Sequence, residues 1–254
     1  MTFSDRLLDL AIEAVKAGEG VVARLFRSEE LNVRVKTTGA DLVTNADVAA
    51  ENAIRNVILA ARPEDAVVGE ELGEFGGAGD VKWFLDPIDS TANFARGIPI
   101  WSISLAAVSN DGPLAAIVSH PVADERFTCS RDTLPESDFS GGARSLESAM
   151  VVVGWGNSSD GERESSVARE LSSSVGKIRS PGSPALGLAW TAAGRFDAAF
   201  YEMGFGEWDI AAGRFLCERA GLMSRLDPPS DDAEFPRLLV AREAIFANLE
   251  QMLF

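Results

Sequence analysis

The residues best placed to do chemistry are carboxylates in four short segments. Gly69-Glu70-Glu71 follows the apolar stretch Ala66–Val68, and Asp86-Pro87-Ile88-Asp89 follows Trp83-Phe84-Leu85. Glu207-Trp208-Asp209 opens a helical pattern, and Asp41-Leu42-Val43-Thr44-Asn45-Ala46-Asp47 leads into another. Pro87 lacks a backbone donor and fixes φ, so the chain is expected to leave its sheet there. Asp89 returns three residues after Asp86, close enough for both carboxylates to face one point. Oxygen-only donors suit hard cations such as Mg²⁺ or Mn²⁺. The two cysteines lack C-x-x-C spacing and the single histidine stands alone, which argues against zinc. Beyond Asp89, Ser90-Thr91-Ala92-Asn93 can open a helical turn whose free N–H groups make an anion site. Carboxylates, a divalent cation and a phosphate cradle at one place fit metal-assisted phosphoryl transfer to water. Singly, each segment has an ordinary explanation: a turn for Asp-Pro-x-Asp, a solvated loop for Glu70-Glu71, a helix cap for Asp209. Their joint occurrence in this order points to chemistry.

Elements are needed to hold these acids. Leu7, Leu8, Ile12, Val15 and Val22 recur at helical spacing between Asp5 and Phe26, and Leu31 to Lys36 alternates like a strand. Thr44 is expected to cap a helix that Arg62-Pro63 stops. Short strands are expected at Ala66–Gly69, Trp83–Asp86, Ile100–Ser109, Leu114–His120 and Arg126–Cys129, the third and fourth joined through Asn110-Asp111-Gly112. Ser130 to Ser148 is rich in Ser, Gly and Asp, which places a connection between two halves there, residues 1–135 and 136–254. The second half alternates strand and helix to a final helix at Arg242–Leu253, an order that implies layered sheets and helices.

Bulk properties narrow the function. With 254 residues, 46% of them hydrophobic, the chain can bury a sizeable core. A net charge of −16 repels nucleic acid and anionic membrane surfaces. It also repels a phosphate substrate, a conflict that bound divalent cations resolve; solubility alone is the plainer explanation. Asp5, Arg6 and Asp9 near the N-terminus rule out a signal peptide, and no apolar run approaches the roughly 20 residues of a membrane span. A cytoplasmic protein is expected.

Together, Asp41-Leu-Val-Thr-Asn-Ala-Asp47, Gly69-Glu-Glu71, Trp83-Phe-Leu-Asp-Pro-Ile-Asp-Ser-Thr-Ala-Asn-Phe94 and Trp208-Asp-Ile-Ala-Ala-Gly213 resemble the inositol monophosphatase family over most of the chain. The resemblance implies a layered α/β/α/β/α sandwich of the kind shared with fructose-1,6-bisphosphatase, usually dimeric, Mg²⁺-dependent and lithium-sensitive. It implies one metal held by Glu70, Asp86 and the backbone oxygen of Ile88, a second between Asp86, Asp89 and Asp209, and a third near Glu70, hence two to three ions. The nucleophile is then a water whose pKa the metal lowers, oriented or deprotonated by Glu70 and Thr91, with Asp47 behind Thr91 and Glu71 in support. Ser90 and Thr91 offer N–H groups to the phosphate, and Lys36 matches a common family lysine. Asp89, Ser183, Glu202 and Asp209 face the substrate alcohol, Glu202 within Tyr201-Glu202-Met203-Gly204.

The chain departs from the family at several points. Ser90 stands where glycine is usual, and a positive φ is uncomfortable for serine. Pro184, in Gly182-Ser183-Pro184-Ala185, replaces alanine and removes a backbone donor. Ser130–Arg144 lacks the usual Gly- and Asn-rich hairpin, and Ala241-Arg242-Glu243 replaces Ala-Asn. Inositol monophosphate is the expected substrate. Histidinol phosphate, fructose bisphosphate and nucleotide 3′-phosphates are alternatives, and a non-catalytic regulatory or binding protein on the same scaffold is a reading of another class.

Overall fold

The computed structural model describes residues 1–36, 42–136, 142–155, 161–202, 204–229 and 235–254, with the side chains of 161–164 set aside. Asp41 and Met203 lie outside the described residues. The first half runs α1 (Phe3–Leu25), β1 (Val33–Val35), β2 (Leu42–Thr44), α2 (Asn45–Ala61), β3 (Ala66–Gly69), β4 (Gly73–Gly76), β5 (Val81–Asp89), α3 (Thr91–Ala95), β6 (Ser102–Ser109), β7 (Gly112–His120) and β8 (Glu125–Ser130). The second runs β9 (Met150–Trp155), α4 (Gly161–Ser174), β10 (Lys177–Arg179), α5 (Pro184–Ala192), β11 (Ala198–Glu202), α6 (Glu207–Arg219), β12 (Met223–Asp227), β13 (Arg237–Ala241) and α7 (Glu243–Leu253).

Helix α1 starts two residues earlier than the periodicity suggests because Thr2 and Asp5 cap each other, each backbone N–H donating to the other's side chain at 3.2 Å. Helix α2 begins after Thr44 as expected, with Ala46 N–H donating to Thr44 Oγ1 at 3.1 Å. The sequence missed β4, whose Gly-Glu-Phe-Gly composition carries no strand signal.

Among the described residues β1 and β2 pair antiparallel as a small two-stranded sheet, and two larger sheets form in the orders β4-β3-β5-β6-β7-β8 and β10-β9-β11-β13-β12. Strand side chains alternate between faces, and the cores follow that alternation. Leu105, Ala107, Ala115 and Ile117 pack with α1 and α2, whereas Ala106, Ala116 and Val118 pack with α5 and α6. On β9, Val152 joins that middle core, and Val151 and Val153 join the outer one with α4 and α7. The layers therefore run helices, six-stranded sheet, helices, five-stranded sheet, helices, the α/β/α/β/α arrangement. No helix among the described residues is long and apolar enough to cross a membrane. Because both sheets bury against α5 and α6, we propose that the division near residue 135 separates halves of the topology that share a core.

Candidate active site

The site begins with an irregularity in β5. Asp86 lies opposite Ser104 and Asp89 opposite Ser102, so three steps along β5 match two along β6. In an unbroken strand residues i and i+3 face opposite ways. The extra residue returns Asp89 to the side of Asp86. Pro87 does not end the strand as the sequence suggested. It sits in the bulge, where its missing N–H costs no ladder bond.

Asp209 arrives from the first turn of α6, and oxygens of Asp86, Asp89 and Asp209 lie within 4.8 Å of one another. In each of the three, one oxygen is engaged by the protein. Asp86 Oδ1 accepts the Ile88 N–H at 2.9 Å. Asp209 Oδ2 accepts the Gly206 N–H at 2.6 Å, so Gly206 is the cap of α6 and Asp209 reaches back to it. Asp89 Oδ2 accepts from Ser102 Oγ at 2.9 Å, from the Ala185 and Leu186 N–H groups at 3.1 and 3.4 Å, and from Ser183 Oγ.

Burial and mutual repulsion raise the proton affinity of this cluster. Burial pushes the Asp89 carboxyl up to about 6 against its hydrogen bonds. Burial, with Asp89 and Glu70 nearby, pushes Asp209 up to about 8. Asp86 is also held well above the carboxylate range, by burial first and then by Glu70 and Asp89. Three carboxylates facing one point, Asp86 and Asp89 buried and Asp209 half-buried, with oxygen donors only, are the chemistry that a hard divalent cation fits.

Thr91, at the start of α3, has its hydroxyl 3.0 Å from Asp47 Oδ1 and 3.2 Å from the Ile88 carbonyl. Asp47 is fixed from its other oxygen, which accepts from Thr44 N–H at 2.8 Å and Thr44 Oγ1 at 2.6 Å. Burial pushes its carboxyl up to about 6. Glu70 lies outside that 4.8 Å group, although its charge helps to raise all three aspartates: its Oε1 is 2.8 Å from Lys36 Nζ, which also pairs with Glu71. Burial raises Glu71 to about 7 although Lys36 opposes the rise.

Ser90 adopts φ +78° and ψ 59°, the left-handed region. Its carbonyl accepts the Asn93 and Phe94 N–H groups at 3.0 and 3.1 Å, and Asn93 Nδ2 donates to the Ile100 and Pro181 carbonyls at 2.7 and 3.0 Å. The turn after Asp89 is thereby tied to the loop before α5. Ser183 is buried, with its hydroxyl on Asp89. Glu202 is buried at the end of β11, in register with Arg237 and Trp155.

The fold and site define a layered α/β protein built around a buried carboxylate centre. The chain belongs to the inositol monophosphatase family, whose profile matches residues 4–253. It is 36% identical over 229 residues to a protein of Pseudomonas aeruginosa named Nus factor SuhB, covering 85% of this chain and 83% of that one. It is 36% identical over 223 residues to the inositol-1-monophosphatase of Rhizobium meliloti, with the same coverage. Among solved structures, the extragenic suppressor protein suhB of Bartonella henselae superposes with a TM-score of 0.86 at 28% identity, covering 98% of each chain. The IMPase of Thermotoga maritima gives 0.82 at 27%, covering 98% of this chain and 96% of that one.

Sequence reasoning missed Ser102 and the N–H groups of α5 as partners of Asp89. Ser102 carried no signal, being one of three serines in an otherwise apolar strand. The α5 donors were legible only as Pro184 at a helix start, where proline signals that the next N–H groups are free.

Proposed function

We propose that the protein hydrolyses a small phosphate monoester with Mg²⁺, and that inositol monophosphate is its substrate. The observation that carries this reading is the convergence of Asp86, Asp89 and Asp209 beside the Thr91–Asp47 hydrogen bond. Asp86, Asp89, Asp209, the Ile88 carbonyl and Glu70 would hold two to three Mg²⁺ ions, with Mn²⁺ as a substitute. When bound, the cation supplies charge neutralisation at the phosphate and a lower pKa for water there. With its proton on Asp47, the Thr91 hydroxyl offers lone pairs that orient the attacking water, and Glu70 is the group placed to take a proton from it. The N–H groups of Ser90 and Thr91 orient phosphate oxygens. Glu202 and the outer oxygens of Asp89 and Asp209 accept from substrate hydroxyls. Ser183 reaches the substrate side through Asp89. Lithium sensitivity, a homodimer and a cytoplasmic location belong to the same reading, supported by the family, and the charge of −16 supports a small phosphate over nucleic acid.

A turnover panel at fixed Mg²⁺ tests it, with inositol monophosphate, histidinol phosphate, fructose bisphosphate and a nucleotide 3′-phosphate. Much faster release from histidinol phosphate would replace the substrate assigned here. Asp86→Asn is expected to abolish phosphate release from a folded protein, and unchanged turnover would sink the metal mechanism. Relatives named Nus factor give a second reading, a non-catalytic role on this scaffold. The complete carboxylate set supports catalysis, and the absence of turnover across the panel would favour the second reading.

A further inference from the structure

Helix α2 carries two buried acids one turn apart, Asp47 and Glu51, both 0% exposed. Asp47 holds Thr91. Glu51 sits where the helical period expects an apolar residue, on the stripe of Ala46, Ala50, Ile54 and Ile58. Its carboxylate is fully engaged. Oε2 accepts the Glu71 N–H at 2.9 Å, and Oε1 accepts the Leu72 N–H at 3.2 Å and Arg55 Nη2 at 2.7 Å. The same Arg55 nitrogen donates to the Gly73 carbonyl at 2.9 Å. On the other side, the Glu70 N–H donates to the carbonyl of Leu85 at 3.2 Å, the residue before Asp86. Three successive amides, 70 to 72, are thus anchored to α2 or to β5. A Cβ on Gly69 would lie 2.0 Å from Glu51 Oε1 and 2.6 Å from Oε2, so glycine is what admits the carboxylate to the loop. A leucine would fill the stripe without burying a charge, but it would leave the Glu71 and Leu72 amides unpaired.

We propose that Glu51 is a positioning residue for the metal centre: through the amides of Glu71 and Leu72 it fixes the turn that carries Glu70. This rests on the reading of Glu70 as a metal ligand. Helix α2 then acts as a spacer, with Asp47 setting the Thr91 side and Glu51 the Glu70 side.

Glu51→Gln tests it. Both oxygens accept backbone N–H groups, so an amide must aim its NH₂ at one of them. Titration calorimetry with Mn²⁺ on the wild type, Glu51→Gln and Glu70→Gln gives the first readout. Loss of a hydrogen-bonded supporting group typically weakens metal binding by about 10- to 100-fold, and that range is expected for Glu51→Gln. Turnover should recover at saturating metal, and Glu51→Asp, which keeps both oxygens on a shorter arm, should lie between. If the wild type binds Mn²⁺ and Glu51→Gln binds it equally well, the proposal is overturned. If the wild type does not bind Mn²⁺, the metal reading fails instead. Amide hydrogen exchange on the wild type provides a second readout, and it decides the matter if Glu51→Gln does not fold. Protection of Glu71 and Leu72 comparable to that of β5 supports the clamp, and exchange at free-loop rates overturns it.

Discussion

Asp89, at the end of strand β5, accepts the N–H of Ala185 at 3.1 Å and so caps helix α5 from another sheet's strand. Helix α5 opens with Pro184, whose missing N–H is unneeded at that position. Its next two donors, Ala185 and Leu186, both turn to Asp89 Oδ2. A helix N-terminus favours a negative charge, so α5 and two serines favour the ionised form of Asp89 against the burial that raises its pKa.

Ser183→Ala and Ser102→Ala each remove one donor from that oxygen. A hydrogen bond to a charged group contributes about 1.5–3 kcal/mol, and both variants are expected to lose stability in that range by urea unfolding. Both should need more Mg²⁺ for half-maximal turnover. A rise in KM for substrate with an unchanged Mg²⁺ requirement in Ser183→Ala would instead make Ser183 a direct substrate contact.

Thr91→Ala and Asp47→Asn break the 3.0 Å link between hydroxyl and carboxylate. Positioned proton-transfer groups contribute roughly 10²–10⁴-fold. We expect kcat to fall by about 10²-fold or more in each variant, and by no further large factor in the double variant, because the pair acts as a unit. Additive losses in steady-state kinetics would show that the two residues act separately.

Ser90 holds a left-handed conformation that costs an L-residue about 1–2 kcal/mol. Ser90→Gly relieves it but frees the unfolded chain, which offsets about 0.4–1 kcal/mol. A small gain in stability, with turnover retained, is expected. Ser90→Val should lose about 2 kcal/mol or more, since a branched side chain fits that region poorly. A valine variant as stable as the wild type in denaturant unfolding would contradict the backbone geometry after Asp89.

Metal-free stability should fall as pH rises. Asp47, Asp89 and Asp209 have folded-state pKa values near 6, 6 and 8, above the ordinary 3.8. Over that interval the folded protein binds more protons than the unfolded chain, so stability is lost as pH climbs through those values. Mg²⁺ offsets the repulsion it meets among ionised groups, so the rise in melting temperature it produces should be larger at pH 8 than at pH 5. Equal rises at the two pH values would remove Asp89 and Asp209 as its ligands.

Much of the protein is legible in its sequence. The acid-bearing segments, the Thr44 cap of α2 and the layered order of strands and helices were written in local spacing, because capping and side-chain period act over a few residues. Family motifs extended the expectation to Glu70, Asp86, Asp89, Thr91 and Asp209, of which Asp86, Asp89 and Asp209 converge in the fold. The sequence also contained, unread, the acid at position 51 on an apolar stripe. What only the tertiary structure decided was orientation. The bulge at Pro87 turns Asp86 and Asp89 to one side, and that depends on how β5 pairs with β6. Ser183 is directed to Asp89 because α5 packs its first turn against the end of β5. Gly69 is required because Glu51 crosses over it. Each of these joins residues far apart in the chain, and local propensity says nothing about which distant donor will meet which acceptor once the layers close.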